Sequence, residues 1–104
     1  MNEPLEVSFT PRATKHVAEA KNWWRLNRTA APRALDDELT QALDLIASTP
    51  HVGSIARNVS LAGVRRLFLS RVKYFLYYRL QREPAERIEV VAFWHARRGY
   101  GPRL

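Results

Sequence analysis

The chain is 104 residues long, with 46% hydrophobic and 26% charged residues, a balance that excludes a disordered or collagen-like chain. It contains no cysteine, so a disulfide scaffold, a cysteine zinc site and a thiol nucleophile are excluded. The formal net charge is +7, and all of the excess lies in residues 65–104, which hold ten basic and three acidic side chains against seven of each in residues 1–64. Such a localised basic field predicts an anionic partner.

The sequence carries no sign of export or of membrane insertion. No apolar run approaches the roughly 20 residues of a membrane span. Met1–Pro4 has no basic segment followed by an apolar one, as a secretory signal would. We therefore expect one cytoplasmic domain over residues 1–104, without contact with a membrane.

The first half of the chain predicts a strand followed by two helices. Leu5–Phe9 alternates apolar and polar residues, the period of a half-buried strand. Thr10–Pro11 is an N-cap signal, and apolar residues then recur at helical spacing as far as Leu26. A second apolar stripe follows Pro32 and ends at Thr49–Pro50, because the residue before proline leaves the helical region. The short joint between the two stripes predicts an antiparallel helical hairpin.

The second half of the chain changes to a period of two. The runs Val64–Leu69, Tyr74–Leu80 and Arg87–His95 are rich in β-branched and aromatic residues, which predicts three strands. Their short connections predict an antiparallel meander. The element order β-α-α-β-β-β predicts an α+β fold of two layers, in which an N-terminal strand and the helical hairpin pack on an antiparallel sheet.

The face of the sheet turned away from the helices is expected to be apolar and edged with positive charge. Strict alternation places six side chains on it: Phe75, Tyr77, Arg79, Val91, Phe93 and His95. An uncovered patch of this kind marks an interface. The alternatives are that the C-terminal tail or self-association covers it.

Four segments stand in an order, and with loop lengths, that are typical of one protein family. They are Thr49-Pro50-x-x-Gly53, Gly63-Val64-Arg65-Arg66-Leu67, Tyr74-Phe75-Leu76-Tyr77-Tyr78-Arg79 and Ile88-x-Val90-x-x-Phe93-Trp94-His95-Ala96-Arg97-Arg98. Together they resemble the RelE/ParE family of type II toxin–antitoxin toxins, over nearly the whole chain. The resemblance implies two helices on an antiparallel sheet, a cognate antitoxin as partner and a toxin–antitoxin hetero-oligomer in the cytoplasm.

The resemblance leaves two mechanisms open. RelE-like members cut mRNA on the ribosome without a metal, using basic residues to stabilise the charge that develops on the phosphate. ParE-like members inhibit DNA gyrase. Nuclease members carry an arginine early in the strand that here begins at Tyr74, whereas this chain has Phe75, which cannot make charge-assisted bonds to a phosphate. We therefore favour gyrase inhibition, with mRNA cleavage and a non-toxic, antitoxin-binding module as the alternatives.

The candidate site residues follow from these two mechanisms. If the chain is a nuclease, His95, Arg97 and Arg65 are its expected catalytic residues. Contacts to the target or the antitoxin are expected from the basic and aromatic side chains Arg65, Arg66, Phe75, Tyr77, Arg79, Phe93, His95, Arg97 and Arg98. Phe93→Asp is accordingly expected to weaken antitoxin binding.

Two further expectations concern charge partners and metals. Arg65 and Arg66 should point to opposite faces of the sheet, and one of them should pair with a carboxylate of the second helix, namely Asp36, Asp37 or Asp44. His16 and His51 lack the spacing of a metal site. Neither a metal nor a cofactor is predicted.

Overall fold

Two helices lie on one face of a five-stranded sheet in the computed structural model, which describes residues 3–104. The elements are β1 (Val7–Phe9), α1 (Pro11–Asn27), α2 (Ala34–Ser48), β2 (Ser54–Ile55), β3 (Val64–Leu69), β4 (Tyr74–Gln81) and β5 (Arg87–His95). The predicted α+β class and the predicted order are confirmed. The short β2 adds one strand that the sequence did not predict.

The strand order across the sheet is β1-β5-β4-β3-β2. The meander of β3, β4 and β5 is antiparallel, as predicted, and β2 extends it antiparallel to β3. The N-terminal strand β1 lies parallel to β5, so the sheet is mixed. The long β5 is therefore a central strand, flanked by β1 over its first half and by β4 over its length.

The helical hairpin is fixed at its start and at its tip. The Thr10 hydroxyl accepts a hydrogen bond from the Ala13 amide at 3.1 Å, which caps α1 as the Thr-Pro signal predicts. At the tip, the indole of buried Trp24 donates to the Ala31 carbonyl at 2.8 Å. Neither helix of the described residues is long and apolar enough to cross a membrane.

Two apolar cores lie on opposite sides of the sheet. The larger core is on the helix side, and its buried members include Leu35, Ile46, Leu76, Tyr78, Ile88 and Val90, none more than 2% exposed. The smaller core is on the other face and consists of Ala56, Val64, Tyr77, Val91 and Ala92. The sheet is thus covered on both faces, although helices cover only one of them.

A buried hydroxyl explains why Thr49-Pro50-x-x-Gly53 occurs together with the Tyr-Tyr pair of β4. Tyr78 donates to the Pro50 carbonyl at 2.7 Å and accepts from the Gly53 amide at 2.9 Å. A Cβ on Gly53 would lie 2.8 Å from that hydroxyl and 2.9 Å from the Arg66 carbonyl, so only glycine fits. The loop after α2 is therefore fastened to the centre of the sheet.

Candidate interaction surface

The face of the sheet away from the helices is partly closed by the chain itself. Residues 56–61 and the C-terminal residue Leu104 pack on the smaller core. Trp94 donates to the Tyr100 carbonyl at 2.7 Å, and a Cβ on Gly101 would overlap Asn58, so the tail lies tightly against the loop. The C-terminal tail therefore covers part of this face, which is one of the alternatives left open by the sequence.

Tyr77 is covered by this arrangement. Its side chain is 1% exposed, and its hydroxyl accepts a hydrogen bond from the Asn58 amide at 2.9 Å. Tyr77 is thus buried by residues of its own chain, and its contact with a partner stays a prediction. Its role is to hold residues 56–61 against the sheet.

A β-bulge in β5 puts the last side chains of this strand on the opposite face of the sheet from the one predicted. Tyr78 pairs with Val90 and Tyr77 pairs with Ala92, which leaves Val91 without a partner on β4. One extra residue reverses the alternation of every side chain that follows it. Phe93 therefore lies in the helix-side core, 2% exposed and stacked on Tyr74 at 4.6 Å, instead of on the other face as predicted.

The bulge also moves Trp94 to the face where Phe93 was expected. Phe75 and Trp94 are neighbours across β4 and β5 there, and both lie at the edge of the smaller core. No residue in the β5 sequence marks the bulge, because Val90-Val91-Ala92-Phe93 is apolar in either register. Sequence reasoning therefore missed Trp94 as a surface residue.

A cleft of about 200 Å³ opens beside these two rings, and we call it the strand-end cleft. It is lined by Asn58, Arg66, Phe75, Tyr77, Trp94, His95, Ala96, Arg98, Gly99, Tyr100 and Gly101. The Arg66 guanidinium lies over the Phe75 ring at 4.2 Å, and the Arg98 guanidinium lies over the Trp94 ring at 3.9 Å. Two cation–π pairs thus stand side by side at the carboxyl end of β5.

His95 closes the end of β5 between the cleft and α1. Its Nδ1 accepts a hydrogen bond from the Arg97 amide at 3.1 Å, and its ring stands edge-on to Tyr74 at 4.9 Å. Burial lowers the pKa of His95 below its ordinary 6.5, and the positive charges of Arg97, Arg98 and Arg28 lower it further. The imidazole is therefore neutral at neutral pH.

Arg65 and Arg79 lie away from the cleft and serve the fold. The two arginines of β3 do point to opposite sides, but Arg65 donates to the Gly53 carbonyl at 2.7 Å and not to an aspartate of α2. The expected pairing is wrong because the loop carbonyls lie nearer; within residues 3–104, Asp36 pairs with Lys21. Arg79 pairs with Glu89 at 3.0 Å, and both side chains are partly exposed.

Part of the predicted site is thus brought together and part is not. Arg66, Phe75, His95 and Arg98 line the cleft, and exposed Arg97 follows directly after His95. Arg65, Arg79 and Phe93 lie elsewhere. Within the described part of the chain, no three His, Asp or Glu side chains come close enough together to hold a metal ion.

Comparison with known proteins adds a family and a fold. The family profile that matches residues 7–100 is described as the ParE toxin of the type II toxin–antitoxin system parDE. A solved structure titled "Chromosomal ParDE TA system from P. aeruginosa" superposes with a TM-score of 0.68 at 14% identity, covering 88% of this chain and 95% of that one. Comparison with curated proteins gave no match.

Proposed function

The chain belongs to the ParE toxin family of type II toxin–antitoxin systems, and from that premise we propose that it is a toxin that inhibits DNA gyrase and is neutralised by a cognate antitoxin. The observation that carries the proposal is the family match over residues 7–100. Gyrase works in a complex with DNA in the cytoplasm, which agrees with the predicted localisation. The basic end of the sheet offers the DNA in such a complex a surface of opposite charge.

The strand-end cleft favours this proposal over catalysis. RelE-like nucleases carry an arginine at the position of Phe75. Here the Arg66 guanidinium lies over the Phe75 ring. His95 is oriented by the Arg97 amide and by Tyr74. Aromatic rings covered by guanidiniums are better suited to binding a partner than to cleaving a phosphodiester bond.

The test is a supercoiling assay with purified gyrase and relaxed plasmid. We expect the folded chain to abolish supercoiling and to cause cleaved DNA to accumulate, and we expect the cognate antitoxin to reverse both effects. Circular dichroism on the same preparation verifies the fold. If folded protein leaves supercoiling intact at a large excess over gyrase, the proposal is wrong.

Ribosome-dependent cleavage of mRNA is the second candidate. The observation that favours it is the grouping of His95 with Arg97 and Arg98 at the end of β5, since guanidiniums stabilise the charge that develops on a phosphate during cleavage. If the chain is a nuclease, His95→Ala and Arg97→Ala abolish cleavage in a translation extract while antitoxin binding remains. Toxicity that persists in both variants excludes cleavage through this site. A chain that binds antitoxin but neither inhibits gyrase nor cleaves mRNA is a non-toxic module.

The antitoxin is proposed to bind along the outer edge of β3 and the adjoining side of α2. The ladder of β2 reaches only Arg65 and Arg66, which leaves the rest of this edge without a neighbouring strand. Leu45 and Phe68 are 42% and 45% exposed beside it and line a common groove. An extended or amphipathic antitoxin segment would cover these side chains and pair with the free edge.

Phe68→Asp tests this surface and replaces Phe93→Asp, which would disrupt the helix-side core. We expect Phe68→Asp to weaken antitoxin binding at least tenfold in a calorimetric titration, because a charge would be buried without a partner. The matched control is Leu26→Asp, the same kind of change at an exposed position of the hairpin tip. Equal affinities for the two variants would exclude the β3 edge as the antitoxin site.

A further inference from the structure

Four arginines at one end of the molecule lack carboxylate partners. Within residues 3–104 the ion pairs are Lys21–Asp36, Arg79–Glu89 and Arg82–Glu86, and none of them lies at the carboxyl end of β5. Arg28 from the hairpin tip, Arg66 from β3, and Arg97 and Arg98 after β5 make no ion pair among these residues. We call these four residues the arginine end surface.

Three of the four guanidiniums lie over aromatic rings. Arg66 lies on Phe75 at 4.2 Å, Arg98 on Trp94 at 3.9 Å and Arg28 on Trp23 at 5.0 Å. A guanidinium stacked through its face keeps the N–H donors of its edge free for a planar, bidentate acceptor. The stacking also restrains long side chains before any ligand arrives, which lowers the entropy cost of binding.

The arginine end surface is centred on the strand-end cleft. Phe75 and Trp94 are paired across neighbouring strands, so the two stacked guanidiniums above them share the strand-end cleft. Arg97 and Arg98 follow His95 closely in the chain, and the charges of Arg97, Arg98 and Arg28 all lower the pKa of His95. Glu19 is the acidic group of α1 that acts on the neighbouring His16. The lining of the cleft includes Arg66 and Arg98 and, among the described residues, no Asp or Glu, so positive charge is concentrated there.

We propose that the arginine end surface binds the phosphodiester backbone of a nucleic acid strand, with Arg66 and Arg98 as its central contacts. A phosphodiester is favoured over an acidic peptide because exposed rings stand beside the arginines. Trp23 is 41% exposed and Tyr100 is 70% exposed, and such rings stack on unpaired bases. The affinity belongs to the free chain and does not depend on gyrase being the target.

Fluorescence anisotropy with the purified chain tests the site. The probes are a short fluorescein-labelled single-stranded DNA, the RNA of the same sequence and the DNA duplex, each titrated at several salt concentrations. We expect Arg66→Gln and Arg98→Gln each to weaken binding about fivefold to tenfold at low salt and to reduce the slope of log affinity against log salt by about one. The probe that binds most tightly identifies the kind of strand.

Arg82→Gln is the matched control, because it removes the same charge at the opposite end of β4 and β5, where the side chain is exposed. It should bind within twofold of the parent chain. Binding that is lost equally in the control and in Arg98→Gln would overturn the site in favour of net charge, and so would a folded parent chain that binds none of the probes. Gyrase inhibition that survives in variants without nucleic-acid affinity would leave the proposed target intact.

Discussion

At the scale of single residues, Tyr78 does more for the fold than any other polar side chain described above. Its ring is wholly buried in the helix-side core, yet its hydroxyl makes two hydrogen bonds to the loop that follows α2. Burial raises the pKa of Tyr78, so the hydroxyl stays protonated and able to donate to Pro50. One side chain thereby joins the sheet to the loop.

Tyr78→Phe should lower the free energy of unfolding by about 1–3 kcal/mol, because the Gly53 amide and the Pro50 carbonyl lose their partner in a buried place. Urea denaturation followed by circular dichroism measures the change. Tyr100→Phe is the matched control, since Tyr100 is exposed and uses its backbone carbonyl, not its hydroxyl, to bind Trp94. If both variants unfold at the parent's urea midpoint, the two hydrogen bonds contribute nothing to stability.

At the scale of the elements, the bulge in β5 determines that Phe93, and not Trp94, lies in the helix-side core. Phe93→Ala should cost about 3–5 kcal/mol, as for a large ring removed from a close-packed core. Phe75→Ala should cost clearly less, because Phe75 is only partly buried. Urea denaturation of the two variants compares them. If Phe75→Ala is the more destabilising, the alternation of β5 runs without a bulge.

The same elements indicate how far the sequence could predict the structure. The helices and the three long strands were predicted to within one residue at most ends, because their periods and caps are local properties. The bulge could not be predicted, because the apolar run Val90–Phe93 is compatible with pairing to β4 with or without it. No sequence pattern predicted that Glu38 accepts hydrogen bonds from the amides of Arg71 and Val72, which are distant in sequence. Contacts of that kind follow from tertiary packing.

At the scale of the whole molecule, stability should depend on pH through two histidines. His16 accepts a hydrogen bond from the Phe93 amide at 3.3 Å, and burial lowers its pKa below 6.5; the charges of Arg98, Arg12 and Lys15 add to this effect and Glu19 opposes it. The pKa of His95 is lowered as well. The unfolded chain binds protons near pH 6.5 that the folded chain does not, so the free energy of unfolding falls as the pH drops below 6.5.

His16→Gln should reduce this pH dependence, because an amide oxygen accepts the same hydrogen bond without titrating. Urea midpoints on either side of the histidine range, for the parent chain, for His16→Gln and for the exposed-site control His51→Gln, measure the effect. The control should behave as the parent does. A midpoint shift with pH that is the same in all three proteins would exclude His16 as its source.

The three tryptophans occupy three different surroundings, and this gives the molecule built-in optical reporters. Trp24 lies in the helix-side core, Trp23 is exposed at the hairpin tip, and Trp94 stands between the His16 ring at 5.3 Å and the Arg98 guanidinium. With Trp23 and Trp24 replaced by phenylalanine, the tryptophan emission would come from Trp94 alone and would report events around its ring. Occupancy of the cleft and protonation of His16 would then be visible in real time, without any attached dye.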